Sequence, residues 1–353
     1  MRPKERVLTA MRHEEPDRVP LFYRDIPEVD VRLQNDLGLK SREELFQYFD
    51  IDFRWAGPKY VGPALENPAT GVQRDIWGVE FKYVPASYGG YWEPVSSPLM
   101  GQTDPAVLDD YPWPQLDWFD FSVLDAELET YRDYAIMTAP GPASPGPLAT
   151  IQWLLGMEGA LSEMLLHPKF YEALIDRIVE FDMALMTRIA EVAGDRIDFY
   201  RLGDDFGTQQ SLLISPRVFS TFFQPFMRSI SDLAKQHGGY YYHHTCGAIR
   251  RLIPAFIETG MDVLDPVQVG ATGMTPAELK AEFGDQICFS GGVDEQDLLP
   301  NGTPEQVREA VFKLLDDMAR GGGFFIGPTH NLQADIPTEN IVAMYDAARE
   351  WTY

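Results

Sequence analysis

The chain has 353 residues, with 45% hydrophobic and 24% charged side chains, too apolar for disorder and ample for a large core. Lys and Arg number 29 against 54 Asp and Glu, a formal charge of −25. Such a field repels phosphate backbones and anionic membranes, which argues against nucleic-acid and polybasic lipid-binding roles. The acidity is diffuse and reads as solubility rather than as an interaction tail. Cys246 and Cys288 are too few for a disulfide framework, and the opening residues Met1–Arg6 lack the apolar core of a signal peptide. No run approaches the roughly 18 apolar residues that span a bilayer. The expectation is a cytoplasmic protein.

Short apolar runs recur along the chain, each ending in polar, Gly or Pro residues and most followed by a helical pattern. In order they are Arg18–Arg24, Ile51–Trp55, Tyr134–Pro140 and Ile197–Asp205. Gly239–Cys246, Asp262–Pro266, Gln286–Asp294 and Gly322–His330 complete the set. Parallel strands covered on both faces have this texture. Helices are predicted over Pro216–His237, stopping before Gly238-Gly239, and over Pro304–Arg320 behind a Thr303 cap. A last helix starts at Thr338-Glu339-Asn340 in the same way. Eight strand–helix repeats favour an α/β fold of the (β/α)8 TIM-barrel type, with an open doubly wound sheet as the alternative. A single barrel over 1–353 is expected, with residues 56–132 as a long insertion after strand two. Ile76–Tyr83 in that insertion reads as a short hairpin, and Trp77, Tyr91 and Trp92 as lid aromatics that line a pocket or merely pack.

Barrel chemistry sits at the carboxyl ends of strands. Those ends carry Arg24-Asp25, Arg54, Asp204-Asp205, His244-Thr245-Cys246, Asp265, Asp294 and Thr329-His330. On a strand, His244 and Cys246 face the same side, and imidazole with thiolate suits tetrahedral zinc. His243 faces the other way and reads as structural. His330 is the chosen third ligand, with Asp204, Asp205 or Asp294 as oxygen alternatives. Cys288 lies early in its strand and reads as a small buried residue.

These residues resemble the uroporphyrinogen decarboxylase superfamily, and most closely its zinc-dependent, corrinoid-linked methyltransferases. The resemblance is carried by Glu15–Pro20, Gly203-Asp204-Asp205, Ile214-Ser215-Pro216 and His244-Thr245-Cys246-Gly247. Ser290–Asp294 and Pro337–Ile341 extend it across nearly the whole chain. It implies a (β/α)8 barrel and, as cofactors, zinc and a corrinoid (cobalamin) carried by a partner protein. It also suggests a homodimer. Phe22-Tyr23-Arg24-Asp25 keeps one arginine of the decarboxylase motif and adds an acid, which argues against a porphyrinogen substrate. Histidine at 330 stands where the thiol-methylating branch has cysteine. One thiolate with two neutral imidazoles leaves zinc a formal charge of +1, a better Lewis acid than a two-thiolate site.

The expected reaction is methyl transfer from a small methyl ether or amine to a corrinoid protein. In it Asp205 or Asp204 is a fourth ligand or proton relay, Arg24 orients substrate and Tyr242 hydrogen-bonds beside the metal. Arg54, Asp294 and Trp92 are expected to touch substrate. Glu309, which matches an ether-demethylating pattern, falls inside a helix and is expected to face away. The alternatives are a metal-free decarboxylase using Arg24 and His330 on a small carboxylate, and a non-catalytic barrel that binds a corrinoid protein.

Overall fold

Runs dense in branched and aromatic residues become parallel strands when helices cover one face and a packed interior the other. The structure, a computed structural model, describes residues 1–67, 71–86, 89–143 and 146–353. Seven parallel strands lie side by side in chain order: Phe53–Ala56, Ala135–Thr138, Phe199–Gly203, Tyr240–His244, Val263–Asp265, Cys288–Val293 and Phe324–Pro328. Each overlaps a run expected from the sequence.

The first run, Arg18–Arg24, forms no regular strand. Pro20 lacks an N–H, and the Leu21 N–H is drawn to Asp52 Oδ2 at 2.8 Å. The run still bonds to both edges of the sheet. Phe22 N–H donates to the Ile326 carbonyl at 2.8 Å, and Asp52 N–H to the Leu21 carbonyl at 3.1 Å.

Strand alternation separates two cores. Outward residues such as Tyr200, Leu202, Tyr241 and Leu264 pack with the helices in a large cluster. Inward residues meet in a smaller one: Phe22, Phe53, Ala135, Met137, Phe199, Tyr242, Val263, Cys288 and Phe325. All seven strands and the first run contribute to it. Cys288 is 1% exposed and packs there, as its early strand position predicts. Val7, Ala10 and Met11 of the helix Pro3–Met11 join this cluster. That helix lies at the amino ends of the strands: Lys4 N–H donates to the Asp133 carbonyl, and Gly323 N–H to that of Ala10. The opposite end is left for chemistry.

Residues between the first two strands build structure of their own. Lys59–Tyr60 pairs with Phe119–Asp120, and Glu66–Asn67, Val72–Arg74, Glu80–Ala86 and Gly89–Pro94 form an antiparallel sheet. The expected Ile76–Tyr83 hairpin is shifted. Asp75 Oδ1 accepts from the N–H groups of Trp77 and Val79, both at 2.9 Å, so Ile76–Val79 is the turn itself. Trp77 is buried edge-on against Phe181 at 5.4 Å. It is packing and not a pocket wall.

The expected helix Pro216–His237 is broken into Pro216–Phe222 and Gln224–Gln236. Pro225, with no N–H to donate, forces the interruption. Thr303 caps Pro304–Met318 in a reciprocal capping box with Gln306. The last helix, Thr338–Glu350, is preceded by Pro337 at its cap, so Thr338 is its first helical residue rather than the cap. Among the described residues, no helix is long and apolar enough to cross a membrane.

Asp52 staples the amino-terminal segments. Fully buried, it accepts from Arg6 at 2.6 Å, from Arg18 at 2.7 Å and from Leu21 N–H. Asp52→Ala removes a buried carboxylate from two guanidinium groups and an acceptor from the Leu21 N–H, leaving Arg6 to Asp17 and Arg18 to backbone carbonyls, and urea unfolding is expected to show a loss of about 2–4 kcal/mol. A loss below about 1 kcal/mol would refute the staple.

Candidate metal centre

The strand Tyr240–His244 alternates cleanly. Tyr241 and His243 point outward, where the Tyr241 hydroxyl meets His243 Nδ1 at 2.8 Å and Phe206 stacks on the imidazole. His243 is thereby structural, as expected. His244 faces the inside at the carboxyl end of the strand, and Cys246 follows two residues later. Cys246 Sγ lies 3.5 Å from His244 Nε2, and the His330 and His244 ring centres are 5.6 Å apart. One donor atom from each of His244, Cys246 and His330 lies within 4.8 Å of the others. The structure thus brings together the three residues named from sequence.

The neighbours of these donors suit a cation. His244 Nδ1 is 2.8 Å from Asp265 Oδ2 and 2.9 Å from Arg24 Nη1; a proton on Nδ1 donated to the carboxylate leaves the Nε2 lone pair for a ligand. Arg24 donates to the same oxygen at 2.7 Å and to the Thr329 carbonyl at 2.7 Å. Burial opposes ionisation of Asp265, but Arg24 and His244 outweigh it and hold the carboxyl well below the usual carboxylate range. Burial, Arg24 and His244 push His330 down to about 4, and burial lowers His244 as well, so both rings are neutral. Burial and Asp205 push the Cys246 thiol up. A divalent cation reverses that preference by stabilising thiolate directly. Two neutral imidazoles, an ionisable thiol and a buried carboxylate behind one imidazole form a donor set that fits zinc.

Two cavities flank the donors. A larger one of about 530 Å³ is lined by Arg24, Trp153, Arg201, Asp204, Asp205 and His244, among others. A smaller one of about 290 Å³ is lined by Gln209, Cys246, Gln268, Glu295 and others. His330 borders both. Asp205, exposed, accepts from Cys246 N–H at 2.7 Å, and its carboxylate is 3.8 Å from His244 Nε2. Asp204 is buried and accepts from Leu148 and Ala149 N–H at the start of the helix Pro147–Leu166. Burial raises its carboxyl to about 7 despite those donors. Burial likewise raises Glu295 to about 7, against the pull of Arg24.

Several expected site residues lie elsewhere. Arg54 is 1% exposed and faces outward, held by Glu43 and by the Ile51 and Phe53 carbonyls, with its guanidinium 3.8 Å over the Tyr134 ring. Alternation puts Phe53 and Trp55, not Arg54, on the inner face. Asp294 is spent on a turn, accepting from Gln296 and Leu298 N–H, and Glu295 takes its place on the cavity wall. Trp92 is 42% exposed on the antiparallel sheet against Tyr83, away from both cavities; Tyr91 is exposed as well. Tyr242 does share the inner face with His244, but its hydroxyl donates to Ser290 Oγ at 2.8 Å, a layer below the donors. Glu309 is exposed, as expected.

Trp153, Arg201 and Glu295 were not singled out from sequence, and Asp265 was noted only as a strand end. A signal existed for one of them: Ala149 and Trp153 are spaced i, i+4 in the helix that follows the strand Ala135–Thr138.

A family model described as uroporphyrinogen decarboxylase (URO-D) matches residues 143–351. A methylated-thiol–coenzyme M methyltransferase of Methanosarcina mazei is 28% identical over 233 residues, 64% of this chain and 59% of that protein. A uroporphyrinogen decarboxylase of Pseudoalteromonas translucida is 26% identical over 151 residues, 40% of this chain and 39% of the relative. The matches thus span less than two thirds of these relatives. The solved structure of a methyltransferase from Methanosarcina mazei superposes with a TM-score of 0.68 over 99% of both chains at 16% identity, a likeness of fold. With more than half of its length matched by the family model, the chain belongs to the uroporphyrinogen decarboxylase family.

Proposed function

We propose that this protein is a zinc-dependent methyltransferase that moves a methyl group from a small methyl ether or methylamine to a corrinoid carried by a partner protein. The carrying observation is the convergence of His244, Cys246 and His330 on the wall of an open cavity, with ligand atoms within 4.8 Å of one another. Relatives named as methyltransferases of coenzyme M and of methylcobamide support the reaction class. Zinc held there would supply Lewis acidity toward the oxygen or nitrogen that carries the methyl group.

The chain's own residues do the rest. Asp265 orients His244, and Arg24 holds Asp265 ionised. Asp205 fixes the backbone at Cys246 and sets a carboxylate beside the donors. Asp204 anchors the helix that presents Trp153 to the cavity, and Glu295 holds a proton near His330 on the other side. In this reading Arg18–Arg24 is the first stave of a closed (β/α)8 barrel, and residues 56–132 cap its mouth. The contact of Phe81 with Trp153, 5.4 Å between ring centres, supports the cap. A metal-free decarboxylase using Arg24 is less favoured because both terminal nitrogens of Arg24 are engaged by Asp265 and by the Pro328 and Thr329 carbonyls.

Elemental analysis of the purified protein is expected to find about one zinc per chain. Cys246→Ser should lose zinc and methyl transfer to a corrinoid together; full metal with full turnover would reject the ligand assignment. Asp265→Asn should weaken zinc binding about 10–100-fold, read by competition with a chelator.

Asp204 provides a pH test in the metal-free protein. Its folded value, about 7, lies above the ordinary carboxylate range, so its contribution is complete below about pH 4 and is lost as pH rises to 7. Relative to Asp204→Asn, wild type should therefore lose stability at about 1 kcal/mol per pH unit across that interval and level off above it. A flat difference would contradict a protonated carboxyl.

A further inference from the structure

Among the described residues, the side chain of Arg201 has no polar partner. It alternates with Phe199 and Gly203 on the inner face and stands in register with Tyr242. Its guanidinium lines the larger cavity. Among the described residues its side chain makes no hydrogen bond or ion pair, and its Nε is buried without an acceptor. Arg24 Nε also lacks an acceptor, so the contrast with the buried arginines lies in the two terminal nitrogens, which are bonded in those residues and not in Arg201. Arg6 and Arg24 are held by carboxylates and carbonyls, and Arg54 by Glu43 and two carbonyls.

The side chain is only partly exposed: its Nε is withdrawn from water without an acceptor, while the guanidinium faces the cavity, an arrangement that costs the fold something and returns no hydrogen bond. The acids around it are committed elsewhere. Asp265 lies close enough to be felt, but its Oδ2 is already shared by Arg24 and His244 at 2.7 and 2.8 Å. The two other acids of the cavity are engaged too, Asp204 by the helix amides and Asp205 by Cys246 N–H. Burial depresses the ionisation of Arg201 and Arg24 adds to it, against the opposing pull of Asp265 and Tyr242.

The space above the side chain is open. Gly203, level with His244, lines the cavity and puts no side chain into it. A rise of about 3.3 Å per residue puts the Arg201 backbone roughly 7 Å below the level of the metal donors. The cavity of about 530 Å³ joins the two levels and has room for a small molecule.

We propose that Arg201 is an oxyanion subsite, and that the methyl donor is a small carboxylate whose methyl-bearing oxygen or nitrogen sits at the opposite, metal-facing end. The identity of that far end rests on the methyltransferase reading; the binding of a carboxylate by Arg201 does not. Guanidinium and carboxylate match in planar, two-pronged geometry, which favours carboxylate over a rounder anion.

The test is calorimetric titration of zinc-loaded and metal-free protein with methoxyacetate, its neutral amide, methanesulfonate and inorganic phosphate. Wild type, Arg201→Gln and Arg201→Lys are compared, with zinc content measured on each. Methoxyacetate is expected to bind wild type at least about tenfold more tightly than the amide does, and to lose at least about tenfold in Arg201→Gln. Arg201→Lys should fall between. Zinc content should not change, and ligand-free Arg201→Gln should melt above wild type because it sheds an unpaired charge.

Equal binding of methoxyacetate to wild type and Arg201→Gln overturns the subsite, as does equal binding of acid and amide or no Arg201-dependent binding at all. Preference for sulfonate or phosphate at Arg201 overturns the carboxylate class. Arg201-dependent binding without methyl transfer to a corrinoid leaves the subsite standing and removes the methyltransferase reading. Equal transfer from neutral methyl ethers by wild type and Arg201→Gln does the reverse.

Discussion

The site is organised by one shared oxygen. Asp265 Oδ2 receives Arg24 at 2.7 Å and His244 Nδ1 at 2.8 Å in a fully buried setting. The same guanidinium grips the Thr329 carbonyl, one residue before His330. A single arginine on the first run therefore positions two of the three donors, one through a carboxylate and one through the backbone. The exchange is costly to disturb, because removing Arg24 or Asp265 leaves the other's charge buried without its ion-pair partner. Arg24 was expected to meet substrate. Its place in this network makes it architectural.

The third donor is positioned by close backbone contact. Gly247 has φ of 94°, and a Cβ there would come within 2.5 Å of the Gly207 backbone. Only glycine lets the loops after two adjacent strands approach so closely. Ala248 N–H then reaches the Thr208 carbonyl at 2.8 Å, and Asp205 accepts from Cys246 N–H. Cys246 is thus set by its neighbouring loop rather than by the strand that precedes it. The arrangement explains why Asp205, an exposed acid, lies beside the donors while Asp204, one residue earlier, turns inward to a helix terminus.

Much of this was legible in the residues. The apolar runs marked the strands, because buried parallel strands need both faces apolar. His244-x-Cys246 marked the donors, because a two-residue step keeps one face. What escaped was phase. Arg54 and Arg201 each lie within a strand of similar texture, and nothing local says which neighbour points inward. That choice is made by how each strand packs against the interior cluster, where Phe53 and Phe199 take the inner positions. The same alternation then sends Arg54 outward to Glu43 and Arg201 inward to the cavity. Helix residues such as Trp153 escaped for another reason: attention to strand ends overlooks a wall built from the following helix.

The two inward arginines divide the labour of one charge. A chain of net charge −25 has acids enough to pair every buried cation, and Arg24 is paired accordingly. Arg201, with the same chemistry in the same cavity, is not. Pairing it would need a carboxylate at the level of Gly203 or Tyr242, and those positions carry a hydrogen and a phenol committed to Ser290. A packed apolar residue at 201 would serve the fold better than an unpaired guanidinium. The cavity therefore carries a local cost that the fold does not require, in the place where a small anion would remove it.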